Sequence, residues 1–126
     1  MSTILVVDDT ALAREAVSKL LEYEGFTVLR ASHGRDAWAL LYNHTPDLVL
    51  LDLAMPVMNG LEAARLIASV SPHPVMLMFT MQYTGQLLKE AEAAGIKEVL
   101  SKTDAGIECL LASMRTLLKE PPANVA

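Results

Sequence analysis

Ile4-Leu5-Val6-Val7, Leu48-Val49-Leu50-Leu51 and Val75-Met76-Leu77-Met78-Phe79 are continuous apolar runs. Runs of this kind read as strands buried on both faces of a parallel sheet. Phe26–Ala31 and Ile96-Lys97-Glu98-Val99-Leu100 complete the set as the second and fifth strands. Between the strands the period becomes helical. In Thr10–Glu24 the residues Ala13, Val17, Leu20 and Leu21 recur at helical spacing, and Gly25 supplies a stop. Gly34–Asn43 is a second helix, with Ala37, Leu40 and Leu41 facing inward and Pro46 beyond its end. Gly60–Val70 is a third, closed by the breaker run Ser71-Pro72-His73-Pro74. A fourth lies near Thr84–Ala94 and stops at Gly95. A fifth, about Asp104–Leu118, carries Ile107, Leu110, Leu111, Met114, Leu117 and Leu118 on one stripe. Residues 121–126 have too little apolar pattern for an element and read as a frayed tail or the start of a linker, which gives one domain over 1–120.

Five strand–helix alternations make a parallel sheet sandwiched by helices the economical solution. Side by side, such strands bring their polar ends to one rim, the place where open α/β sheets bind ligands. Asp8-Asp9 follow the first strand, Asp52 the third, Thr80 the fourth and Lys102 the fifth. Three carboxylates, a hydroxyl and an ammonium gathered there would form a divalent-metal and phosphoryl site. Each residue taken alone has a plainer reading. Asp8-Asp9 could be an N-cap with a favourable dipole charge, Asp52 a turn residue, Thr80 a strand end and Lys102 a solvated charge. Four polar positions at four strand ends are poorly explained that way.

Composition narrows the classes. A chain of 126 residues fits one domain, and at 52% hydrophobic it can bury a substantial core. A net charge of −5 argues against direct nucleic-acid binding. No apolar stretch reaches the ~18 residues of a membrane span, and Met1-Ser2-Thr3 leads into a strand without a signal-peptide pattern. A single cysteine, Cys109, rules out an internal disulfide and fits a reducing compartment, so a cytoplasmic location is expected. Cys109 itself reads as a core or semi-core residue, and Trp38 and the methionines as packing between helices and sheet. His33, His44 and His73 lack metal-like spacing and read as surface residues.

From Ile4 to Leu118 the chain resembles the receiver domains of two-component response regulators. The resemblance rests on Asp8-Asp9, on Asp52-Leu-Ala-Met-Pro56-Val-Met-Asn-Gly60, on Thr80 and on Ser101-Lys102. It implies a flavodoxin-like, doubly wound fold: a five-stranded parallel sheet of order 2-1-3-4-5 flanked by five helices. That order is the known one for flavodoxin and the chemotaxis receiver, and it enters with the resemblance. The resemblance also implies Asp52 as phosphoacceptor, with Asp9, Asp52 and the Ala54 carbonyl as ligands of Mg2+ and Asp8 acting largely through water. Thr80 would hydrogen-bond one phosphoryl oxygen and Lys102 would pair with another, while Pro56 and Gly60 shape the loop. The chemistry is coherent: clustered carboxylates resist ionisation, and magnesium accepts a few hard oxygens while keeping several waters. The implied partners are a sensor histidine kinase or histidine phosphotransfer protein, and an output partner on the fourth helix–fifth strand–fifth helix face. The chain would be a stand-alone receiver or a piece of a larger regulator, and no turnover enzyme.

Three positions depart from the family pattern. Val99 stands where a rotating Phe or Tyr is usual, Thr103 where proline follows the lysine, and Met81 where a small residue follows the threonine. A cis bond before Thr103 would cost about 2.5–4 kcal/mol, so trans is expected. Met81 is long enough to lie across the acceptor, and Tyr83 is a candidate stand-in for the missing aromatic. Rival readings are a phosphorylation-independent module with a relic site and an aspartate-nucleophile phosphatase of the haloacid-dehalogenase type. The phosphatase pattern is Asp-x-Asp after the first strand, whereas this chain has adjacent Asp8-Asp9. A flavin carrier is weaker still, because no Gly/Ser/Thr-rich loop follows that strand.

Overall fold

The computed structural model describes residues 2–103 and 106–119. The strands are β1 (Thr3–Val7), β2 (Thr27–Ala31), β3 (Leu48–Leu51), β4 (Val75–Thr80) and β5 (Glu98–Ser101). The helices are α1 (Ala11–Tyr23), α2 (Gly34–Leu40), α3 (Gly60–Ala68), α4 (Gly85–Ala93) and α5 (Gly106–Leu118). Every strand pair is parallel, and the sheet order is β2-β1-β3-β4-β5, as the resemblance implied. The start of α5 expected at Asp104, and the 121–126 tail, lie outside the described residues.

Strand parity divides the core into two layers, because alternate side chains leave opposite faces of a sheet. Leu5, Val7, Val49, Leu51, Met76 and Met78 point to one face, where they pack with Ala37 of α2, Ile67 of α3 and Ala91 of α4. Ile4, Val6, Leu48, Leu50, Leu77 and Phe79 point to the other, where Leu21 of α1 and Leu110 and Met114 of α5 cover them. Both layers are needed because all four residues of β3, the central strand, are buried. Truncating one such residue to alanine costs about 2–5 kcal/mol. The register Val7↔Leu51, Leu51↔Met78 and Thr80↔Ser101 aligns the strand ends, so the residues that follow them share one rim.

Several packing expectations fail. Cys109 is exposed on α5 and takes no part in the core. Ile107 stands at 38% exposure, so the inward stripe of α5 begins at Leu110. Met81 is 65% exposed, unlike Met55, Met76, Met78 and Met114, which are buried. Ser18 of α1 is fully buried, and its Oγ has no hydrogen-bond partner. The helical spacing of α1 gave no hint of it, because a serine scores as polar. His33, His44 and His73 are exposed as expected.

Candidate functional site

Backbone bonds beyond the strands set the frame. The Asp8 amide donates to the Ala31 carbonyl at 3.2 Å, and the Asp52 amide donates to the Val7 carbonyl at 3.1 Å. The Lys102 amide donates to the Thr80 carbonyl at 2.9 Å. These bonds extend the parallel pairing by one residue and fix Asp8, Asp52, Thr80 and Lys102 on one rim. Asp8, Asp9 and Asp52 come together there, with carboxylate oxygens within 4.8 Å of one another.

Asp8 is buried and held from several sides. The Thr10 amide donates to its Oδ1 at 2.9 Å, the local turn that aspartate favours. Lys102 Nζ lies 3.3 Å from its Oδ2 and 3.8 Å from Oδ2 of Asp52. One ammonium therefore spans two carboxylates. It also sits over the Phe79 ring at 5.7 Å, a contact that keeps the lysine stem against the sheet. Arg14 of α1 donates to the Asp8 carbonyl oxygen at 2.8 Å. Neither Phe79 nor Arg14 is legible as a site residue in the sequence, since both act through packing or backbone contact.

Burial pushes the Asp52 carboxyl above the ordinary carboxylate range; Lys102 and the Leu53 amide oppose the rise, and Asp8 and Asp9 add to it. The arrangement is short of positive charge for three carboxylates, and its donors are hard oxygens. That set suits a small divalent cation, which prefers a few carboxylates and retains water. Thr80 is 1% exposed, and its Oγ1 accepts the Gln82 amide at 3.0 Å. Met81, the residue after Thr80, is 65% exposed. The Lys102–Thr103 bond is trans, as expected from the absence of proline. Ser101 Oγ accepts the Thr103 amide at 3.1 Å, a bond that proline could not make.

The loop from Asp52 to α3 holds the largest surprise. Val57 has φ +68° and is fully exposed. The Met58 amide donates to the Pro56 carbonyl at 2.7 Å, which closes a tight three-residue turn around Val57. Nothing in the sequence signals this conformation, because a β-branched residue is among the types least expected at positive φ. Gly60 closes the loop, and a Cβ there would run into the Asp52 carbonyl oxygen. Asn59 caps α3 in a reciprocal box, accepting the Glu62 amide at 2.9 Å while Glu62 accepts the Asn59 amide at 3.0 Å. Ala54 lies in the same loop and is exposed.

The response regulator receiver domain family matches residues 4–115. This chain belongs to that family. The receiver domain is 37% identical over 116 residues to the response regulator MprA of Mycolicibacterium vanbaalenii, covering 92% of this chain and 50% of that protein. It is 37% identical over 109 residues to a Rhodospirillum rubrum protein-glutamate methylesterase/protein-glutamine glutaminase, covering 85% of this chain and 30% of that protein. The chain therefore spans half or less of these relatives, and the esterase name describes a longer protein. Among solved structures, the chemotaxis protein CheY4 of Vibrio cholerae is 30% identical with a TM-score of 0.84, covering 93% of this chain and 98% of that one. Receiver domains are signalling domains of two-component systems, and not turnover enzymes. Among the described residues no helix is long and apolar enough to cross a membrane.

Proposed function

We propose that this receiver domain takes a phosphoryl group on Asp52 from a histidine kinase or histidine phosphotransfer protein, with Mg2+ at the acid cluster. The observation that carries the reading is the meeting of Asp8, Asp9 and Asp52 beside Lys102, with Thr80 at the neighbouring strand end. Asp9, Asp52 and the Ala54 carbonyl would hold the metal, and Asp8 would act mainly through water. Bound there, Mg2+ would neutralise phosphoryl oxygens and keep Asp52 ionised at neutral pH.

The remaining chemistry falls to the chain. An Asp52 carboxylate oxygen attacks phosphorus, and the O–P bond forms as the N–P bond of the phosphohistidine donor breaks. The bonding pair leaves with the imidazole nitrogen. Lys102, already within 3.8 Å of Asp52, takes up charge that develops on one phosphoryl oxygen. The Thr80 hydroxyl donates to another. Charge neutralisation and positioning are the whole contribution, since phosphoryl transfer needs little covalent help. An output partner would read the α4–β5–α5 face, and a cytoplasmic location accords with a kinase partner there. The intact acid cluster and its lysine favour this reading over a phosphorylation-independent module.

Incubation with acetyl phosphate and Mg2+ should add one alkali-labile phosphoryl group per chain, detected by mass spectrometry. Asp52→Asn should abolish it. Equal labelling of the Asn variant would overturn the assignment.

A further inference from the structure

A cleft of about 760 Å³ opens between α4 and β5. Leu88, Ala91, Ile96 and Val99 give it an apolar floor, and Lys97 and Glu98 give it a polar edge. Val99 is buried at 7% exposure but too small to fill the space, and its β-branched side chain has few rotamers. Tyr83, in the loop between β4 and α4, already lines this cleft while 48% exposed. A tyrosine combines an apolar ring with a polar tip, which matches an apolar floor with a charged edge.

The same loop is tied to the site. The Thr80 hydroxyl accepts the Gln82 amide at 3.0 Å, one residue before Tyr83. A hydroxyl has one donor and two acceptor positions, so Thr80 can keep that bond while donating to a phosphoryl oxygen on Asp52. Movement of the hydroxyl toward Asp52 would then draw Gln82 and Tyr83 with it.

We propose that Tyr83 is the conformational reporter of this receiver domain, its ring closing into the α4–β5 cleft against Val99 when Asp52 carries a phosphoryl group. The inference rests on the phosphoryl reading of the site. A small residue at position 99 leaves the receptor space, and the loop supplies the ring from the opposite side. The ring would be exposed in one state and packed in the other, and the phosphoryl group favours the second through contacts made only in it.

The test is NMR of the full chain with ring-labelled tyrosine, with and without beryllofluoride plus Mg2+ as the phosphoryl mimic. Contacts between the Tyr83 ring and the Val99 methyls should appear on adding the mimic, and solvent relaxation of that ring should fall. Tyr23 and Tyr42, remote from the cleft, should keep their shifts. Val99→Phe, which fills the cleft, should hold Tyr83 in solvent in both states. Tyr83→Ala should leave Mg2+ affinity unchanged yet lose the amide shifts in Ile96–Leu100. A response at the Asp52 and Thr80 amides with an unmoved Tyr83 ring overturns the Tyr83 assignment alone. Silence at Asp52 and Thr80 overturns the phosphoryl reading, and this inference with it.

Discussion

At the scale of single residues, Val57 and Asp52 each hold a state that their chemistry disfavours. A β-branched residue at φ +68° costs roughly 1–2 kcal/mol relative to an ordinary backbone, and full exposure gives Val57 no packing in return. Glycine removes the strain but adds freedom to the unfolded chain. Val57→Gly should therefore stabilise the domain by about 0.5–1 kcal/mol, read as a rise of a few degrees in Tm. A fall in Tm would show that the side chain contributes to the fold. Asp52 is strained electrostatically, its pKa being raised chiefly by burial. A raised carboxyl favours the folded state below its unfolded pKa of about 3.9, and that contribution is lost as pH climbs through the folded value. In metal-free buffer Asp52→Asn should thus be more stable than the parent at pH 7, with the gap narrowing toward pH 4. Urea melts across that range check the sign, and a gap that widens on acidification would contradict it.

At the scale of elements, the entry to α3 shows how local sequence and site geometry are joined. The capping box of Asn59 and Glu62 fixes where the helix starts, and Gly60 lets its first turn press on the Asp52 carbonyl. Gly34, at the start of α2, makes the matching close approach, since a Cβ there would meet Met58 Sδ at 2.7 Å. Gly60→Ala should move the β3–α3 loop away from Asp52 and destabilise the fold by about 1–3 kcal/mol, the usual cost of overpacking. Slower labelling by acetyl phosphate should accompany the lower Tm. Normal stability and normal labelling would mean that the loop yields without cost.

At the scale of the whole molecule, folding gathers carboxylates that repel one another, and a cation that binds only the folded state offsets this. Mg2+ at about 100 times its dissociation constant should add about 2.7 kcal/mol of stability. Asp9→Asn should weaken that response and raise stability in metal-free buffer, because one of three clustered charges is gone. Calorimetric melts over a Mg2+ titration decide the matter. An unchanged Tm up to tens of millimolar would contradict a metal site.

The succession of strands and helices is legible along the chain, because apolar period is a local property that neighbouring residues express without help. So are the polar residues that end the strands, since Asp8, Asp9, Asp52, Thr80 and Lys102 interrupt apolar runs. Strand order came from resemblance rather than pattern, as periodicity says nothing of which strand lies beside which. That one lysine spans Asp8 and Asp52, that Phe79 lies under it, and that Arg14 holds the Asp8 carbonyl emerges once the chain is folded. The lysine contacts join residues far apart in the chain and follow from the register of the sheet, while the Arg14 contact, only six residues long, depends on how α1 packs beside the rim. The burial of Ser18, the exposure of Cys109 and the left-handed Val57 were likewise beyond the pattern. Each is set by where a helix rotates or a loop closes against the rest of the fold, which one-dimensional hydropathy does not encode.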